Sequence, residues 1–127
     1  FIDREYRTVA EPHGRAIDGF AMGGWGCLSV AFRNPEKFCA VVSYGGALSI
    51  GPTGRNYRDA AHHAEHDPNA LARAKAGAIR DALRIRVVCG EDDEKWYPSN
   101  VKFKDLLAEL KIPCDWVPVK GVGHDTK

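Results

Sequence analysis

The sequence predicts an α/β fold, a parallel sheet of about four strands with helices on both faces. Three observations carry this expectation. Residues 38–44 (FCAVVSY) and 85–89 (IRVVC) are β-rich runs with little polar alternation, the pattern of strands buried on both faces. Segments with helical spacing of apolar residues separate the strand-like runs, so strand and helix alternate four times. Of the 127 residues, 44% are apolar, enough for one real core.

Each element follows in order. Ile2, Tyr6 and Val9 recur at helical spacing, so residues 1–10 read as the end of a helix, broken by Pro12-His13-Gly14. Residues 16–21 form a short strand, and Gly23-Gly24 a sharp turn. Residues 25–32 are apolar on most sides, like a buried helix, and close before Asn34-Pro35. Strand 38–44 ends at Gly45-Gly46, and a loop rich in Gly and Pro follows. Asp67-Pro68 supplies a helix cap and a first-turn proline, and Leu71, Ala74, Ala78 and Ala82 then mark one helical face. Strand 85–89 ends at Gly90. Pro98-Ser99-Asn100 opens a helix with Phe103, Leu106, Leu107 and Leu110 on one stripe, stopped by Pro113. Residues 116–119 form a last strand, placed at an edge by Pro118, and 121–124 a loop. No internal repeat, low-complexity tract or linker divides residues 1–127, which read as one partial domain.

Net charge is +1, from 18 basic and 17 acidic residues that are interspersed, so neither nucleic acid nor an anionic membrane is an expected partner. The longest uncharged stretch, 38–54, holds Gly, Pro and Ser and reads as strand plus loop, not as a membrane span. The chain starts at Phe1 and its only methionine is Met22, which suggests a start inside a longer reading frame or a processed end; localisation stays open. Cys27, Cys39, Cys89 and Cys114 are widely spaced and form no Cys/His cluster, so they read as reduced thiols and not as zinc ligands.

Residues 19–23 (GFAMG) carry the chemistry. A strand, then G-x-x-x-G, then a buried helix is the context of a nucleophile elbow, a turn that presents its central residue above the sheet. Gly19 and Gly23 are expected there because a Cβ would collide with neighbouring backbone. The central residue is Ala21. Past the end of strand 85–89 lie Glu91, Asp92 and Asp93, and past the end of strand 116–119 lies His124. Loops at the carboxyl ends of parallel strands are where α/β sheets build sites. Nucleophile, acid, histidine is the chain order of the α/β hydrolases.

The chain resembles the C-terminal portion of an esterase branch of that superfamily, the group of esterase D, feruloyl esterases and mycolyltransferases. The stretches "FIDREYRT", "GFAMGGWGCL", "NPEKFCAVVSYGGAL", "RIRVVCGEDD" and "VKGVGHD" carry the likeness and cover nearly the whole chain in order. The resemblance implies a serine at position 21, a base at His124, and an acid that the family spacing G-x-x-D sets at Asp93 in preference to Asp92. It implies Met22 N–H as an oxyanion donor and no cofactor or metal. The expected activity is serine carboxylic-ester hydrolysis through an acyl-enzyme, of feruloyl or acetyl type, on a small-molecule ester. Trp25 and Trp96 are candidate walls of the acyl or aryl pocket, and residues 47–66 a short lid.

Two departures qualify this. Ala21 has no nucleophilic oxygen, so the chain as written is expected to be inactive; the alternative is a catalytically silent binding or assembly module on the same scaffold. The family's N-terminal half is absent, and its strand order leaves the edge at 16–21 unpaired. That edge is expected to pair with another copy or with a complementary N-terminal half. Three other signals are weaker. His62-His63-Ala64-Glu65-His66 matches H-x-x-E-H but lacks an apolar stripe, and reads as a polar connector. Ser43, Ser29 and Cys27 are hydroxyl and thiol groups at packed positions. Gly23-Gly24 could cradle a phosphate, but no lysine or Walker pattern follows.

Overall fold

The computed structural model describes residues 14–48 and 65–124. They form four strands and four helices: β1 (Ala16–Phe20), α1 (Met22–Arg33), β2 (Ala40–Tyr44), α2 (Pro68–Ala74), α3 (Ala76–Ala82), β3 (Arg84–Gly90), α4 (Tyr97–Glu109) and β4 (Cys114–Val119). A 3₁₀ turn, Pro35–Lys37, links α1 to β2. All neighbouring strands are parallel, in the order β1-β2-β3-β4. The parallel four-stranded sheet with helices is the predicted fold, and among the described strands β4, with Pro118, lies at an edge as expected.

The described helices share one face of that sheet. Cys27, Leu28, Ala31 and Phe32 of α1, Leu71 and Ala72 of α2, Ile79 of α3, and Phe103, Leu106 and Leu107 of α4 join Val41, Ile85 and Val87 in one core. The physical reason is strand order. Parallel crossovers are right-handed almost without exception, so a sheet that grows in one direction collects its helices on one side. The two-faced arrangement is therefore not found among the described residues; 1–13, where the sequence predicts the end of a helix, lie outside them. The strands accordingly show alternate burial, with Val41 and Ser43 inside while Tyr44 is exposed. On the other face Arg86 pairs with Asp115 at 3.4 Å, and Phe20, Tyr44 and Val117 are exposed apolar side chains.

Local signals account for most element ends. The Asp67 carboxylate accepts the Ala70 N–H at 3.1 Å and Pro68 occupies the first turn of α2. The single helix predicted after Asp67 is two, because the backbone leaves helical geometry at Lys75. There Lys75 Nζ donates to the Arg33 carbonyl at the end of α1, at 2.9 Å. The break resets the helical phase. Leu71, Ala72 and Ile79 are buried, while Ala74, Ala78 and Ala82, read from the sequence as sharing one helical face with Leu71, are exposed. The α4 stripe is as predicted, with Phe103 stacked on Phe32 at 6.1 Å between ring centres. The four cysteines are free thiols.

Candidate active site

Ala21 sits between β1 and α1 with φ 56° and ψ −114°. This lies outside the ordinary α and β regions and also outside the left-handed helical well, a geometry costing on the order of 1–3 kcal/mol. Surrounding bonds enforce it. Ala21 N–H donates to the Tyr44 carbonyl at 3.0 Å, and the Ala21 carbonyl accepts Trp25 N–H at 3.2 Å and Ala47 N–H at 3.0 Å. A Cβ on Gly19 would land on the Gly23 carbonyl, so glycine is obligatory there. The second expectation fails: a Cβ on Gly23 meets nothing within 4 Å. The crowded neighbour is Gly24, where a Cβ would lie 2.7 Å from Ser43 Oγ and 2.8 Å from Gly46 Cα. That close approach seats α1 on β2. Met22 is the first residue of α1, so its N–H is one of the helix-start amides without an intrahelical carbonyl.

The acid and the histidine come from the β3 and β4 ends. Glu91 N–H donates to the Val119 carbonyl at 2.9 Å and Asp92 N–H to the Val122 carbonyl at 3.0 Å, stitching the two loops together. Gly90 permits this, because a Cβ there would strike the Val122 carbonyl. The result is a bond of 2.7 Å between Asp93 Oδ2 and His124 Nδ1. The Asp93 side chain is 2% exposed and that of His124 36%. Asp93 Oδ1 accepts the Trp96 N–H at 3.1 Å, so both carboxylate oxygens have donors when Nδ1 carries the proton. Asp92 is exposed. The His124 ring stacks on Phe20, 4.9 Å between centres and 26° between planes, and Phe20 is the residue before Ala21. A Cβ on Gly45, which has φ 54°, would lie 3.5 Å from His124 Nδ1 and 3.6 Å from Asp93 Oδ2. The β1, β2, β3 and β4 ends thus meet at one rim of the sheet. Burial, then the nearby Asp93 charge, pushes the Cys89 thiol up to about 11, so it is neutral at ordinary pH.

A cavity of about 400 Å³ opens beside Asp93, walled by Phe20, Tyr44, Val88, Val119 and Val122. Neither tryptophan is among the described residues that line it. Trp25 packs against the core. Trp96 contributes backbone: its N–H to Asp93 and its carbonyl to Asn100 Nδ2 at 2.8 Å. Ser29 and Ser43 are buried at 1% and 0% exposure, which removes them as nucleophiles. Of the H-x-x-E-H segment, 62–64 lie outside the described residues, as do 49–64 of the expected lid. Asn100 is the residue that sequence reasoning missed. It stood there only as part of a helix start, and nothing local signals its bond to Gly46, 54 positions away.

The family model described as "Putative esterase" matches residues 1–114. The chain belongs to the Putative esterase family. Among curated relatives, esterase Rv1288 of Mycobacterium tuberculosis (strain ATCC 25618 / H37Rv) is 40% identical over 50 residues, 39% of this chain and 11% of that protein. A solved ferulic acid esterase superposes with a TM-score of 0.80 at 26% identity, over 97% of this chain and 48% of its own. The S-formylglutathione hydrolase FrmB of Staphylococcus aureus gives 0.78 at 22%, over 97% and 49%, a likeness of fold. This esterase-family chain therefore spans about half the length of those solved relatives and a ninth of the curated one.

Proposed function

We propose that this esterase-family chain carries the catalytic half of a serine carboxylic-ester hydrolase, with position 21 as the nucleophile site, His124 as the base and Asp93 as its orienting acid. The 2.7 Å Asp93–His124 bond, at the same rim as the strained elbow, is the observation that carries this reading. A serine Oγ at position 21 attacks the ester carbonyl and passes its proton to His124 Nε2. The bond of Nδ1 to Asp93 fixes the tautomer that leaves Nε2 free to accept. The carbonyl oxygen becomes an oxyanion received by Met22 N–H and by a second donor from the family's other half. Collapse expels the alcohol, which takes the proton from His124. Water then repeats the sequence on the acyl-enzyme and releases the acid. The likeness to a ferulic acid esterase favours an aromatic or short acyl group.

With Ala21 this chemistry has no nucleophile, and loss of the serine alone in a comparable triad costs roughly 10⁶ in turnover. The test is Ala21→Ser in a chain extended to the family's full length, assayed on short p-nitrophenyl esters. Hydrolysis well above the Ala21 protein is expected; equality of the two overturns the mechanism. Ala21 also favours a second reading, a silent binding or assembly module that keeps the scaffold. A serine codon at position 21 in the parent gene removes it.

A further inference from the structure

Asn100 lies in the first turn of α4 and is fully buried. Its Nδ2 donates twice, to the Gly46 carbonyl at 2.9 Å and to the Trp96 carbonyl at 2.8 Å. Both partners are acceptors, which decides how the amide is turned. Its Oδ1 is buried with no partner among the described residues. A buried acceptor left unpaired costs free energy and offsets part of what the two donated bonds contribute. Stability is therefore only a modest reason for an asparagine here.

Its position supplies a better one. On one side, Gly46 leads into Ala47, whose N–H holds the Ala21 carbonyl at 3.0 Å. On the other, Trp96 N–H holds Asp93 Oδ1 at 3.1 Å, and Asp93 Oδ2 holds His124 Nδ1 at 2.7 Å. Asn100 and the Asp93 carboxylate are thus the side chains that link the elbow carbonyl to the imidazole in one chain of polar contacts. We propose that Asn100 is a positioning residue that sets the spacing between the nucleophile elbow and the Asp93–His124 pair. This rests on the reading of Asp93 and His124 as acid and base. It acts through Gly46 and Trp96 and touches no substrate. The sheet fixes where β1, β2 and β3 end, and Gly45 N–H still reaches the Val88 carbonyl of β3 at 2.7 Å, but Gly46–Leu48 and the 93–96 turn lie beyond the ladders, and Asn100 bonds the one to the other.

The experiment uses Asn100→Leu, which keeps the number of side-chain heavy atoms and removes both donors, with Asn100→Asp as a second variant that keeps the planar shape and, when ionised, loses the donor. In the chain as it stands, the low-field proton resonance of His124 Nδ1–H reports the Asp93 bond. In the Ala21→Ser full-length background, kcat and KM are measured. Expected are a broadened or shifted Nδ1–H signal and a fall in kcat of about 10- to 100-fold with KM unchanged, as for a small misplacement of reacting groups. An unchanged signal and unchanged kcat overturn the proposal, and so does loss of the cooperative melt in both variants, which makes Asn100 a folding residue only. Asp93→Asn separates the two ideas. If it abolishes signal and turnover while Asn100→Leu does nothing, only the positioning role fails; if Asp93→Asn is silent, the acid–base reading itself fails.

Discussion

In the proposed mechanism three side-chain positions hold the chemistry, 21, Asp93 and His124. Asp93 is buried against His124 while Asp92 faces solvent, so their amides are expected to behave differently. In the Ala21→Ser background Asp93→Asn presents an N–H where the histidine needs an acceptor, and turnover is expected to fall by about 10⁴. Asp92→Asn is expected to leave it within a factor of two or so, since it alters only an exposed charge. Steady-state ester hydrolysis by both variants checks this, and the opposite ranking would move the acid to Asp92. The thiols give a pH dependence of stability that needs no activity. Burial pushes Cys27, Cys89 and Cys114 from 9.0 up to about 11. A thiol is neutral when protonated, so between these values the unfolded chain has shed protons that the folded chain keeps. Their stabilising contribution is present below pH 9 and is lost as pH rises through about 11. Thermal melts from pH 8 to 11 are expected to show a falling Tm, with a shallower fall in Cys27→Ala relative to its own value at pH 8.

At the scale of elements, the elbow depends on one glycine of its pair. Gly19→Ala drives a methyl into the Gly23 carbonyl, which no rotamer change relieves, and is expected to cost about 1–3 kcal/mol. Gly23→Ala fills open space inside α1 and is expected to be neutral or to stabilise by up to about 1 kcal/mol. Urea denaturation of both proteins distinguishes them, and equal losses would mean the turn is crowded on both sides. The symmetric G-x-A-x-G pattern hid that difference, because a motif records spacing and not which Cβ has a neighbour. Other features were open to reading because their signals are local: β-branched runs closed by glycine for β2 and β3, Asp67-Pro68 for the α2 start, the leucine stripe of α4. The rest needed contacts between distant residues. The α2–α3 break at Lys75 shifts which residues face inward, and no proline marks it in the sequence. Asn100 reads as a helix opener until its partner at Gly46 is known. The strands read as covered on both faces because Val42, Tyr44, Val88 and Val117 are apolar, yet they point away from the helices.

That discrepancy has a meaning for the molecule as a whole. A strand face rich in valine and aromatic side chains is ordinarily covered. Here Phe20 and Tyr44, which line the cavity beside Asp93, and Val117 on the same face are 36–41% exposed. Among the described strands β1 pairs only with β2, so its other edge has no described strand partner. An apolar face and an open edge side by side favour association, either of two copies or with the other half of the family fold, and we infer the second as the working state. The family's solved relatives are about twice this length, which leaves room for a complementary half. On its own this chain is expected to self-associate, with an apparent mass in analytical ultracentrifugation that rises with concentration. Supplying the complementary N-terminal half in trans is expected to replace those species with a one-to-one complex and to raise Tm, since a partner that binds only the folded state stabilises it by mass action. Asp18→Pro tests the edge separately: it removes an N–H on β1 and places a ring at the strand's centre, so it should weaken both kinds of association if the edge carries them. A chain that stays monomeric at high concentration, and that a complementary half neither binds nor stabilises, would show that this edge and face are content in water, and the assembly proposal would fall while the acid–histidine geometry stood.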